Sequence, residues 1–275
     1  DPGDGYRKNQ LDIFLEQIDL IFKDITDYHV YLIEQESDRE NYDILPEELK
    51  QKGTKMAKFN LGILKNIGFK FANDKNKDIE NSYYVLSDVD LLPSNELLED
   101  YLKYPETPIH LGNKGTRYTG NADSFLGGVL SVNSDDFLKS NGYPNNFWGW
   151  GGEDDALKRR LDRNNIHIER PEGSVIDLEE LNITEKLEGL KQNESKEYLK
   201  KEKLEEDKTE WDKNGLNTLD GLYKIMSEEQ YGGSKNVSHY KVYLKAGDES
   251  LSEESSVKDL SKLSLEELYE KYEEC

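Results

Sequence analysis

Cysteine is almost missing from this chain: one residue in 275, Cys275, at the last position. A lone thiol can form neither an intrachain disulfide nor a Cys-based zinc site. The fold must therefore rest on ordinary packing, which a chain of this length supports, and a reducing compartment is expected. Basic residues are in deficit, 36 Lys plus Arg against 58 Asp plus Glu, for a formal charge of −22. A field of that sign repels nucleic acid and anionic membrane, which argues against either as a partner. Most of these acids read as solvated surface, although an acidic face also gathers divalent cations. No stretch approaches the roughly 18 apolar residues of a membrane span, and DPGDGYRKNQ does not resemble a signal peptide. A soluble chain with no membrane segment is the expectation.

What is present alternates between helical and strand patterns. QLDIFLEQIDLIFK at 10–23 carries a broad apolar helical face, and YHVYLIEQ at 28–35 reads as a buried strand. A polar stretch at 36–52 precedes MAKFNLGILKNIGFKFA at 56–72, a second helical pattern built on Phe59, Ile63, Leu64, Ile67 and Phe71. YYVLSDVDLLP at 83–93 is an apolar strand that runs into acids. Further on come a short helix at 94–104 capped by Ser94, strands at 108–112 and 125–132, and a helix opening with EDDALKRRLDRNN. This order predicts an α/β domain with a mostly parallel, Rossmann-like central sheet flanked by helices. Residues 176–213 are rich in Glu, Lys, Leu and Asn and suit an exposed helix or mobile lid; VSHYKVYL at 237–244 suits a final edge strand; 248–275 reads as an acidic tail.

Two stretches carry chemistry. Asp88 and Asp90 flank Val89 at the end of a strand, where ligands gather in open α/β sheets, and paired carboxylates there can hold Mn²⁺ or Mg²⁺ against phosphate oxygens. Alone, such a D-V-D also fits a strand-end turn with Asp caps. FWGWGGEDD at 147–155 is more specific. Gly149, Gly151 and Gly152 let the backbone turn close to a ring, and Trp148 and Trp150 offer flat faces to a sugar. Glu153, Asp154 and Asp155 then open a helix with carboxylates that accept hydroxyl hydrogen bonds, one of them suited to act as a general base. Trp148 reads as the core aromatic and Trp150 as the sugar contact.

SDVDLLP, FLGGVLSV and NGYPNNFWGWGGEDD resemble, in order and spacing, the β-1,4-galactosyltransferase family of inverting, metal-dependent glycosyltransferases. KFNLGILKNIGF is similar to the family's FNR-A-K-LLN-VGF helix, and NGLNTL to its closing DGLNSL. The resemblance implies a GT-A fold over residues 1–247 with a C-terminal helical or lid segment. It implies transfer of galactose or a related sugar, GalNAc included, from a UDP-sugar to a hydroxyl of a GlcNAc-like or other saccharide or glycoconjugate acceptor. It makes Asp90 the metal ligand, for Mn²⁺ or Mg²⁺, with Arg7, Phe59, Asp88, Val89, Lys114, Trp150 and Gly152 around the nucleotide sugar. Asp154 becomes the general base with Glu153 beside it, and Phe125, Trp150, Gly151, Asp154 and Asp155 line the acceptor side. Two segments, Trp150 with its glycines and residues 177–200, are expected to close over the sugars and exclude water.

The departures shape the expectations too. The family's Met and His beyond an R-P dipeptide complete its manganese site, whereas VIDLEELNITE follows Arg170 and Pro171 here. Asp177, Glu179 or Glu180 are the residues that could replace them, while His29, His110, His167 and His239 read as structural residues in strands. Leu61 stands where the family often has Arg, and Phe125 where galactose-transferring members have Tyr, which leaves the donor sugar open. The family's first strand and P-[FY]-R segment lack counterparts beyond Arg7, so the domain is expected to begin inside or just after that strand. A cytoplasmic setting in a bacterium or virus fits the cysteine-poor, acidic chain. The alternative is a carbohydrate-binding protein that derives from such an enzyme and has lost catalysis.

Overall fold

A computed structural model describes residues 4–36, 59–115, 126–149, 151–179 and 200–245, apart from the side chains of 4–7 and 200–202. The helices are α1 (Asp4–Phe22), α2 (Leu61–Lys75), α3 (Leu98–Leu102), α4 (Ser134–Lys139), α5 (Glu153–Arg163) and α6 (Lys200–Glu210). The strands are β1 (Val30–Gln35), β2 (Tyr84–Ser87), β3 (Leu91–Leu92), β4 (Ile109–His110), β5 (Val129–Val132), β6 (Ile176–Asp177), β7 (Tyr223–Gln230) and β8 (Val237–Leu244). No helix among the described residues is long and apolar enough to cross a membrane.

Strand direction departs from the sequence expectation. β1 pairs in parallel with β8, but β7–β8, β2–β5, β4–β5 and β3–β6 are all antiparallel. The described pairing is thus mostly antiparallel within an α/β architecture, not mostly parallel. An apolar run marks a strand but says nothing about which way its neighbour runs. Nor is β8 an edge: the order β1–β8–β7 puts it at the centre, with Val242 fully buried. The edge is β7, YKIMSEEQ, whose exposed polar residues hid it as a strand and suit an edge that must not recruit another chain.

Helix α2 is the organising element. The Asn60 side chain accepts the Ile63 N–H at 2.9 Å, filling one of the orphan donors of the first turn. The helix therefore starts after Phe59, which is 52% exposed and outside the apolar stripe assigned to it. Ile63, Leu64 and Ile67 pack against Tyr240, Val242 and Leu244 of β8. Phe69 points the other way, onto Tyr84 of β2 and Phe137 of α4. Burial on two sides explains why this helix is apolar over so much of its circumference.

Ser94 does precede a helical turn, at Asn95–Leu97, but its hydroxyl makes no capping bond. Of 176–213, expected as an exposed helix or lid, residues 180–199 lie outside the described residues; α6 is a helix docked through Leu204, which packs with Phe147 and Ala156, and through buried Asp207. The 248–275 tail lies outside the described residues.

Candidate active site

The D-V-D segment is a turn between β2 and β3. Asp88 N–H donates to the Gly128 carbonyl at 3.1 Å, and Leu91 N–H closes the turn on the Asp88 carbonyl at 3.3 Å. Gly128 must be glycine: its φ is +85°, and an added Cβ would lie 2.6 Å from Leu91 Cδ1. The neighbouring Gly127 carbonyl is held at 2.9 Å by His110 Nε2, and burial pulls that ring down to about 4, so it stays neutral and donates. His110 and His239 stand in strands as expected, His239 between Glu34 and Glu229; His29 and His167 lie outside them.

FWGWGG is held by buried amides. Asn66, on α2, donates to the Tyr143 carbonyl at 2.7 Å and to Asn145 Oδ1 at 3.1 Å, and accepts the Tyr143 N–H at 2.9 Å. Asn145 in turn donates to the Gly215 carbonyl at 2.8 Å, and Asn60 donates to the Asn145 carbonyl at 2.9 Å. Gly149 N–H then reaches the Phe59 carbonyl at 2.7 Å. Gly149, Gly151 and Gly152 have φ of +89°, +90° and +99°, so the sharp turn read from the glycines is present. Trp148 packs on the cluster around Ile63 and Leu219, in the core role assigned to it.

Helix α5 starts at Gly152 and places Glu153, Asp154 and Asp155 in its first turn. Its far side is pinned by Arg160, which is fully buried, pairs with Asp207 on α6, and donates to the Gly142 carbonyl at 2.9 Å. The catalytic candidates thus sit on a helix anchored at its back, which suits precise placement of a base.

Lys65 pairs with the D-V-D turn and lies within electrostatic reach of Glu153. Its Nζ lies 2.8 Å from Asp88 Oδ1 and 5.7 Å from the centre of the Tyr143 ring. Burial works against the Lys65 charge, but Asp88, with Tyr143 and Glu153 beyond, outweighs burial and holds the ammonium above its usual range. Burial, then the Asp154 charge, pushes Glu153 up to about 8, against the pull of Lys65. Burial also raises the Tyr143 phenol. Glu153 therefore carries its proton at neutral pH and can donate to a hydroxyl, while Asp154 is partly open at the helix start.

Asp90 is buried on the other side of the turn, where its carbonyl accepts the Leu178 N–H at 2.8 Å. β3–β6 pairing sets Asp177 opposite Leu91, and Glu179 is buried nearby, so two of the three proposed substitute ligands come to the D-V-D turn; Glu180 lies outside the described residues. Among the described residues no three His, Cys, Asp or Glu side chains converge into a metal cage.

Other predicted residues are spread more widely. Val89 lies in the turn, half-buried. Lys114 is at the surface, paired with Glu172. Asp155 gives its N–H to Asp154 Oδ1 at 3.0 Å. Phe125, Trp150 and the Arg7 side chain lie outside the described residues. The sequence reading missed Lys65, Asn66, Tyr143, Asn145 and Arg160. Lys65 had a signal: Leu61, Lys65 and Phe69 share one helical stripe, and a single cation on such a stripe asks for a partner.

A family model described as the N-terminal domain of galactosyltransferase matches residues 107–186. β-1,4-Galactosyltransferase 4 of Mus musculus is 34% identical over 152 residues, 54% of this chain and 37% of that protein. β-1,4-Galactosyltransferase 6 of Rattus norvegicus is 34% identical over 164 residues, 59% of this chain and 37% of its own. The chain thus spans about a third of the length of these curated relatives. The crystal structure of the catalytic domain of Drosophila β-1,4-galactosyltransferase 7 with xylobiose superposes with a TM-score of 0.60 at 24% identity, covering 88% of this chain and 91% of that one. A mutant of the same enzyme with manganese, UDP-Gal and xylobiose gives 0.62 at 25% identity, with the same coverage. The fold is GT-A, and in these motifs and this architecture the chain is similar to the β-1,4-galactosyltransferases.

Proposed function

We propose that the chain transfers galactose, or a close relative such as GalNAc, from a UDP-sugar to a hydroxyl of a saccharide acceptor with inversion. One observation carries this reading: Lys65 pairs with Asp88 of the D-V-D turn and lies within electrostatic reach of Glu153 at the GGEDD helix start, 63 positions from Asp90 in sequence. The related Drosophila structure holding manganese, UDP-Gal and xylobiose supports the substrate classes.

In this reading Asp154 takes the proton of the acceptor hydroxyl as its oxygen attacks the anomeric carbon from the face opposite UDP. The new C–O bond forms while the bond to the diphosphate breaks, so configuration inverts and UDP leaves with the electron pair. Glu153, protonated at neutral pH, donates to a sugar hydroxyl and orients it. Asp90 would hold a divalent cation, Mn²⁺ or Mg²⁺, whose chemistry is to neutralise diphosphate charge. The left-handed Gly149, Gly151 and Gly152 would let backbone come close to the sugars.

The test is a panel of UDP-sugars with Mn²⁺ and GlcNAc- and xylose-based acceptors, scored for product and for donor hydrolysis. Asp154→Asn should lower kcat by about 10²- to 10⁴-fold while leaving UDP affinity within about twofold. Absence of transfer and hydrolysis with every donor, together with saccharide binding that needs no UDP, would favour the carbohydrate-binding alternative.

A further inference from the structure

We propose that Lys65 is a positioning residue of the nucleotide-sugar site: it holds Asp88 of the D-V-D turn and offsets the acid excess that a diphosphate must approach. The inference rests on the donor-transfer reading above. Asp88, Asp90, Glu153 and Asp154 all belong to the site, and a nucleotide diphosphate would bring further negative charge to it. Lys65 answers that charge from within, with a side chain only 9% exposed and its Nζ 2.8 Å from Asp88.

The fold alone does not ask for a lysine there. Leu61 and Phe69 precede and follow it on the same helical stripe, and an apolar residue facing an uncharged one serves a core at least as well as a desolvated ion pair. A charge kept at that cost is better explained by work at the site. Lys65 Nζ reaches Asp88, the first acid of the turn, which fixes that carboxylate and leaves Asp90 as the one for a cation.

The experiment is calorimetric titration of the whole chain with UDP in the presence of Mn²⁺, with donor KM and kcat measured beside it. Lys65→Met should weaken UDP binding by about tenfold or more and raise the donor KM to match, with kcat at saturation changed less than about threefold. Lys65→Arg should regain part of the loss. Should Lys65→Met fail to fold, Lys65→Met with Asp88→Asn leaves no lone buried charge, and the same weakening is expected of it. Unchanged UDP affinity in a folded Lys65→Met or in that double variant overturns the inference. Failure of the wild-type chain to bind UDP would instead overturn the donor-transfer reading, and this inference with it.

Discussion

The D-V-D turn and the segment leading into Gly149 are held by different means. The first is fixed by a charge at the site, Lys65 on Asp88, with short backbone bonds to Gly128 and Leu178. The second is fixed by neutral amides, Asn66 and Asn145 above all, and its charge pair, Arg160–Asp207, is kept at the back of α5. A scaffold of charge responds when a ligand brings charge of its own, whereas amide bonds are indifferent to it. Under the donor-transfer reading, the D-V-D side responds to a diphosphate and the amide-held side stays in place as sugars come and go.

The hardest way to break this contrast is to remove the charge behind α5. Asp207→Ala leaves Arg160 buried and unpaired, and should cost about 3–5 kcal/mol of stability by denaturant titration. The folded fraction should nonetheless keep the wild-type donor KM, because this pair lies away from the turn that takes the nucleotide. A donor KM that rises in step with the loss of stability would show that the two halves are not separately held.

A smaller break strikes the amides. Asn66→Leu leaves the Tyr143 N–H and carbonyl without their partner, at about 1–3 kcal/mol. Its kinetic signature should be a raised acceptor KM with UDP affinity unchanged, the reverse of that expected for Lys65→Met. Asn145→Leu should behave alike, since it removes the next link to Gly215. Equal effects on donor and acceptor would erase the distinction between the halves.

The sequence made some of this legible and not the rest, for physical reasons. Helix positions, the three left-handed glycines and the core role of Trp148 followed from periodicity and side-chain shape. Asp177 was named only through the family resemblance, and the β3–β6 pairing sets it opposite Leu91 beside the D-V-D turn. Strand direction was unreadable, because an apolar run is the same in either orientation. The polar β7 was invisible as a strand, and that is why β8 was placed at an edge. Buried amides were missed for a related reason: Asn66 and Asn145 look like turn or surface residues until the backbone groups they satisfy are known. Arg160 and Asp207 were read within a charged, exposed pattern, since pairing across 47 positions leaves no periodic trace.

The pH dependence of Glu153 sharpens the comparison at the point where the halves touch. Its carboxyl is raised from an ordinary 4.5 to about 8, so between those values the folded chain binds a proton that the unfolded chain gives up. Stability from this group is therefore full below about 4.5 and declines as pH rises through 8. Glu153→Gln should match the wild type at acid pH and be more stable by about 1–3 kcal/mol at pH near 9. A difference that does not vary with pH would mean that Glu153 is ionised throughout.

The smallest effect belongs to Lys114, whose partner Glu172 is almost wholly exposed. A surface pair of this kind contributes little to the fold, and Lys114→Ala should leave Tm within about 1 °C of the wild type. The sequence reading nevertheless gave this lysine to the diphosphate. If it swings from Glu172 to the nucleotide, donor KM should rise about threefold to tenfold, with a steep dependence on salt because the group is exposed. Lys65→Met should show the weaker salt dependence of a desolvated charge. Measuring both variants at two ionic strengths separates a surface cation recruited by the donor from a buried one built into its site; identical salt slopes would remove the ground for treating them as different.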